Sequence, residues 1–261
     1  RELAMTTYRT PEEFADRSGA PVDQGWADLL VSDPTQTAPV AEDGPLVVAI
    51  DAGHGGIDPG AQRAGVREAD VMLALAFDVA EAINRTGSMR AVLIRDANFF
   101  VPLEARMTRA RSAGADAFIS LHADALEDGG ARGASVYTLA AEAVDGASTR
   151  MAERHERGDL LAGLDLTGHD DRIAGVLMDL ARLETGPSGD RLAGALVRGM
   201  GRAGVQMNSR PRRAGKLAVL NAPDFASVLI EVGFLSSDAD RVALTSPAGR
   251  AAVAAGIAAG L

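Results

Sequence analysis

The sequence predicts an α/β protein, with strands and helices in alternation and a sheet covered on both faces. Three observations carry this. Short continuous apolar runs such as Leu46 to Ile50 and Phe118 to Leu121 end in glycine or polar residues, as buried strands do. Between such runs, apolar residues recur at helical spacing, Val71, Met72, Leu75, Ala76, Val79 and Ile83 being the clearest set. With 261 residues, 47% of them hydrophobic, the chain has enough apolar material for a large core.

Taken in order, Arg1 to Gly44 is rich in Pro, Asp, Thr and Ala, with short apolar clusters such as Trp26, Leu29, Leu30 and Val31. It reads as a linker or N-terminal extension, residues 1–44, with one stretch docked on a domain spanning 45–261. Leu46 to Ile50 is the first strand and runs into a glycine-rich turn. The helical set that follows places Glu68 at or near the start of an amphipathic helix. Ala91 to Ile94 is a second strand, Leu103 to Ser112 a helix and Ala117 to His122 a third strand. Ala134 to Leu139, Leu217 to Leu220 and Ser227 to Val232 supply three more. The zone from about 140 to 208 interrupts this pattern as a mostly helical insertion. Within it Ile173, Ala174, Val176, Leu177, Leu180 and Leu183 form one apolar stripe behind Gly168-His169-Asp170-Asp171, which offers a capping aspartate. Read from the residues alone, that stripe is ordinary core packing.

Composition removes several function classes. A formal net charge of -10 argues against nucleic acid, because phosphate backbones are bound by clustered Lys and Arg that outweigh local acids. No run of about 18 apolar residues exists, so no membrane span is expected. The chain opens on Arg1-Glu2-Leu3 without Met or a signal-peptide pattern, and the expectation is a fragment whose targeting segment lies upstream. With zero Cys, any transition metal must be held by imidazole and carboxylate.

The residues able to do that sit where strands run out. His54 lies in Asp51-Ala52-Gly53-His54-Gly55-Gly56-Ile57-Asp58-Pro59-Gly60, just past the first strand, where glycines let backbone approach a bound group. A phosphate cradle is disfavoured, since no Lys follows the glycines and no helix opens directly after them. His122 closes the third strand, so its side chain emerges at the same sheet edge. As a pair the two histidines are better explained as metal ligands than as core residues, with Asp51 or Asp124 to accept the second ring proton. Glu68 alone is uninformative, since acids are favoured in a first helical turn. Glu231 stands in the apolar run Ser227 to Phe234, where a carboxylate is costly without a partner or a task. Together His54, Glu68 and His122 would supply the three donors that catalytic zinc commonly takes, leaving a fourth position for water. His155 and His169 fall in the polar insertion and read as solvent-exposed.

Four segments in this order resemble the zinc-dependent N-acetylmuramoyl-L-alanine amidases: Val48-Ala49-Ile50-Asp51-Ala52-Gly53-His54-Gly55-Gly56, Arg67-Glu68-Ala69-Asp70, Ile119-Ser120-Leu121-His122-Ala123-Asp124 and Ser227 to Ser236. The insertion is similar to that of the Gram-negative cell-separation type through Ala134-Ser135-Val136-Tyr137, Met151-Ala152-Glu153-Arg154 and Gly158-Asp159-Leu160-Leu161-Ala162-Gly163. The resemblance implies a six-stranded mixed sheet flanked by helices, Zn²⁺ held by His54, Glu68 and His122, and Glu231 as catalytic acid/base. It further implies a periplasmic enzyme that cuts the amide between N-acetylmuramic acid and L-alanine in peptidoglycan during daughter-cell separation.

In those relatives a helix of the insertion covers the site until a partner with a LytM-type domain draws it away. The implied plug here is Glu153 as an inhibitory fourth ligand, with Glu156 behind it and His155 as an alternative, since imidazole also binds zinc. The stripe bearing Ile173, Leu177 and Leu180 then becomes the face offered to the activator. Two other readings share the fold: a non-catalytic peptidoglycan-binding protein, which would be expected to have lost a ligand, and a zinc exopeptidase, which would need a charged pocket for a free carboxylate.

Overall fold

Period-two burial builds the sheet. Along the first strand Val48, Ile50 and Ala52 enter one hydrophobic core while Ala49 enters another, and Ile119 and Leu121 likewise oppose Phe118. The chain runs from β1 (Leu46–Ala52) through a short ribbon, β2 (Gln62–Arg63) and β3 (Val66–Arg67), into helix α1 (Glu68–Asn84), β4 (Met89–Leu93) and helix α2 (Leu103–Ser112). Then come β5 (Ala117–His122), β6 (Ala134–Leu139), helix α3 (Asp171–Arg202), β7 (Met207–Gly215) and β8 (Ala226–Glu231). Helices α4 (Asp238–Thr245) and α5 (Pro247–Ala258) close it, capped by the Ser237 and Ser246 hydroxyls, which accept from the Asp240 and Gly249 amides.

This computed structural model describes residues 44–126, 130–140, 149, 171–221 and 224–261, and of 171–184 the backbone alone. The chain divides between Gly44 and Pro45, and Pro45–Leu261 is one compact unit. The extension before it, the capping Asp170, and Glu153, His155 and Glu156 lie outside the described residues. So do the side chains of Ile173, Leu177 and Leu180.

Six strands form one sheet in the order β4-β1-β5-β8-β6-β7. β6 runs antiparallel to β8 and every other neighbouring pair is parallel, so the sheet is mixed. From β1 the chain crosses to β4 on one side and then to β5 on the other. The carboxyl ends of β1 and β5 therefore flank a switch in strand order, where a crevice opens in sheets of this kind. One face of the sheet carries α1, α5 and the second half of α3, through residues such as Leu75, Ile83, Leu196, Met200 and Ile257. The other carries α2, residues 217–220 and Phe225, through Met107, Ala110, Leu217, Leu220 and Phe225.

One strand is not where the apolar pattern put it. Leu217 to Leu220 is not a strand, since Ala218–Leu220 forms a single 3-10 turn; its apolar side chains are buried as core filling. The sheet position is taken by β7, Met-Asn-Ser-Arg-Pro-Arg-Arg-Ala-Gly, whose partner lies on one side only. An edge strand needs no continuous apolar run, tolerates Pro211 and gains protection from charged side chains. The expected insertion also holds a core element. In α3, Ala193, Leu196 and Met200 are buried, and Gly199, Gly256 and Gly260 let α3 and α5 pack backbone against backbone.

Candidate metal centre

The loop after β1 is shaped by what it must approach. His54 has φ 60°, a left-handed conformation that a bulky residue adopts only when its surroundings impose it. The neighbouring glycines are spatial requirements. A Cβ at Gly53 would collide with the His122 ring, and one at Gly60 would stand 2.6 Å from His54 Cδ2 and 2.7 Å from Glu68 Oε2. The loop is thus moulded around side chains of this chain, which accounts for its glycines without a phosphate.

Helix α1 begins on Glu68 itself. Its first two amides are satisfied by the loop, Glu68 N donating to Ala61 O at 2.8 Å and Ala69 N to Pro59 O at 3.1 Å. That fixes the Glu68 carboxylate between the two rings. Oε2 lies 3.2 Å from His54 Nε2, and Oε1 lies 3.1 Å from His122 Nδ1. The rings meet edge to face with centroids 5.0 Å apart. Among the described residues this is the group of acids and histidines able to hold a metal ion, its ligand atoms lying within 4.8 Å of one another.

The electrostatics of the cluster follow from burial and from the neighbouring charges. Desolvation works against ionisation of Glu68, yet the charge and hydrogen bonds of His54 and His122 hold it well below the usual carboxylate range. Burial likewise opposes protonation of His54, but Glu68 and Asp58 raise it to about 10. His122 stays below its ordinary value because burial outweighs its bond to Glu68. An ionised Glu68 thus faces a protonated His54, whose positive charge a divalent cation can replace. Two imidazoles and a carboxylate, without thiolate, are donors that fit a borderline transition ion.

Glu231 arrives through strand register. In the β5–β8 pair His122 is aligned with Glu231, so the last residue of one strand stands beside the last residue of its neighbour. The side chain is fully buried, and Oε2 accepts the Asp124 amide at 3.0 Å.

The structure thus brings His54, Glu68, His122 and Glu231 to one sheet edge, and it reassigns the support of His54. Asp51 is engaged elsewhere, Oδ1 accepting from Arg106 at 2.6 Å and Oδ2 from Ser120 Oγ at 2.8 Å. Asp124 Oδ1 accepts the next amide, of Ala125. It is Asp58 whose Oδ2 lies 2.7 Å from His54 Nδ1, while its Oδ1 accepts the Gly60 amide. The four-residue spacing was visible in the sequence, but only the turn that folds Asp58 back on His54 gives it meaning.

The sequence matches the family model described as N-acetylmuramoyl-L-alanine amidase over residues 48–261. Among curated relatives, N-acetylmuramoyl-L-alanine amidase AmiA of Escherichia coli K12 is 34% identical over 220 residues, covering 84% of this chain and 75% of that protein. AmiC of E. coli O6:H1 is 31% identical over 234 residues, covering 87% of this chain and 56% of that protein. The chain spans about half to three quarters of the length of such relatives. Among solved structures, N-acetylmuramoyl-L-alanine amidase AmiC2 of Nostoc punctiforme is 27% identical with a TM-score of 0.60, covering 84% of this chain and 96% of that one. A family match across most of the sequence, with a relative one third identical over three quarters of its own length, establishes that the chain belongs to the N-acetylmuramoyl-L-alanine amidase family.

Proposed function

We propose that this chain is a zinc-dependent hydrolase of peptidoglycan that cleaves the amide joining the lactyl carbonyl of N-acetylmuramic acid to the nitrogen of L-alanine. The observation that carries the reading is the alignment of Glu231 with His122 at the ends of adjacent strands, which sets a buried carboxylate beside the donor cluster. His54, Glu68 and His122 would hold the ion, and Asp58 keeps the His54 ring turned towards it. A bound zinc ion supplies Lewis acidity for the scissile carbonyl and the attacking water. Glu231 accepts the proton of that water and returns it to the departing alanine nitrogen, so that water adds across the C–N bond and leaves a lactyl carboxylate and a free amine. The Asp124 amide holds the Glu231 carboxylate in place for both transfers.

The test is Glu231→Gln, which preserves size and the acceptor for the Asp124 amide. Release of alanine amines from purified sacculi should fall about 10²- to 10⁴-fold, while zinc content is unchanged. Undiminished turnover in this variant would remove Glu231 from catalysis.

The regulatory part of the reading follows the likeness of the insertion to that of cell-separation amidases. The enzyme works in the periplasm and rests autoinhibited, Glu153, or His155 or Glu156 near it, filling the remaining coordination position. A LytM-domain activator binding the Ile173, Leu177 and Leu180 face relieves it. Among the described residues no helix is long and apolar enough to cross a membrane. Ala140 and Thr185 line one cavity, so a short glycine-serine linker can replace residues 141–184 without disturbing the buried half of α3. That deletion should raise the rate of sacculus digestion, and an unchanged rate would end the autoinhibition reading.

A further inference from the structure

Two buried arginines that the proposed chemistry does not use are bonded to the backbone flanking the donor cluster. Arg95 and Arg106 are 1% and 4% exposed, and burying a cation is costly unless its donors are matched. Arg106 has a carboxylate partner in Asp51. Arg95 donates to backbone carbonyls instead.

The choice of carbonyls is what matters. Arg95 donates through Nε to Ala52 O at 2.8 Å and through Nη2 to Gly53 O at 2.9 Å, the two residues before His54. The same Nη2 donates to Ala69 O at 2.8 Å, the residue after Glu68, and Nη1 reaches Ala97 O at 3.1 Å. Arg106 donates through Nη1 to Asp51 Oδ1 and to Ala52 O at 3.1 Å, through Nη2 to His54 O at 3.0 Å, and through Nε to Val101 O at 2.9 Å. Three consecutive carbonyls of the loop bearing His54, and one of the helix turn bearing Glu68, are thereby tied to two rigid planar forks.

We propose that Arg95 and Arg106 are positioning residues for the metal centre, holding His54 in its left-handed conformation and fixing the His54 loop against the first turn of α1, and hence against Glu68. The proposal rests on the reading that these ligands bind metal. A left-handed non-glycine residue persists only when its surroundings over-determine it, and here the peptide oxygens on both sides of His54 are held. Lysine could keep the charge but not the fork, because Arg95 bridges separate chain segments with one planar group.

The test measures cobalt and zinc affinity of the metal-free full chain, with chromophoric chelator competition and the visible absorption bands of bound cobalt as readouts. Arg95→Lys and Arg106→Lys should each bind about 10- to 100-fold more weakly, with shifted cobalt bands and retained far-ultraviolet circular dichroism. In Arg95→Ala, low concentrations of free guanidinium should restore part of the lost affinity. Arg109→Lys is the control, since Arg109 is exposed, donates to Ile94 O and lies over the Phe99 ring away from these carbonyls. Wild-type affinity and cobalt bands in folded Arg95→Lys and Arg106→Lys would overturn the proposal, as would an equal loss in Arg109→Lys. Should one lysine variant not fold, the other and the guanidinium rescue decide. A wild-type chain that binds no metal would overturn the metal reading itself, a separable outcome.

Discussion

Gly60→Ala is a small change aimed at the centre of the site. Two costs can be worked from the structure. Gly60 has φ +66°, where an L-residue pays about 1–2 kcal/mol relative to glycine. At about 2–4 °C per kcal/mol for a domain of this size, melting should fall by about 2–8 °C. The second cost is local. The new methyl would stand 2.6 Å from His54 Cδ2, 2.7 Å from Glu68 Oε2 and 2.8 Å from Glu68 Cβ. Restoring ordinary contact moves those groups by roughly 0.8 Å, well beyond the tolerance of about 0.2 Å on metal–ligand distances. Zinc affinity should therefore drop by tenfold or more, on the order of losses seen when supporting groups are removed. The assay pairs chelator competition with thermal melting of the metal-free protein. Gly65→Ala is the matched control, because its φ is +78° and nothing lies within 4 Å of its added Cβ. It should lose similar stability and keep its metal. Equal metal loss in both variants, or none in Gly60→Ala, would refute the steric reasoning.

Three further outcomes are expected. Asp58→Asn should weaken zinc binding about 10- to 100-fold, because the group orienting His54 Nδ1 loses its charge; unchanged affinity would return Asp58 to an incidental role. Metal affinity should rise about tenfold per pH unit between the ordinary histidine value and about 10, since His54 must release the proton it holds in the metal-free cluster while His122 is already neutral. The metal-free protein should show the opposite slope. The His54 contribution, raised in the folded state, is complete below about 6.5 and is lost as pH climbs towards about 10, so parallel melting curves for metal-free and zinc-loaded protein across that window would contradict the assignment. Finally, Leu196→Ala should cost about 2–5 kcal/mol in chemical denaturation, because Leu196 is fully buried in the core that α3 shares with α5. A neutral result would mean that this half of α3 belongs with the insertion.

Much of the fold was legible because burial on both faces forces an apolar run: the four inner strands announce themselves in that way, and the edge strand β4 does so through its partly buried Ala91, Val92 and Leu93. β7 did not, since an edge strand with Arg210, Pro211 and Arg212 answers to solvent on one side and carries no such run. The buried half of α3 was hidden for a different reason. Leu192, Leu196 and Met200 have the spacing of any amphipathic helix, and sequence periodicity does not say which sheet face receives them.

By itself the sequence determined the chemistry that was possible: no cysteine, two strand-end histidines, and a carboxylate inside an apolar run. Those are properties of residue type and local pattern, which the chain carries wherever it goes. Only the tertiary structure decided which acid supports which base. Asp58 rather than Asp51 serves His54 because a turn reverses the chain there; Glu231 meets His122 because β5 and β8 pair in that register; and Arg95 reaches from the His54 loop to the Glu68 helix because it follows β4, which pairs with β1. Contacts between residues tens of positions apart depend on strand order and register, and no local pattern encodes these.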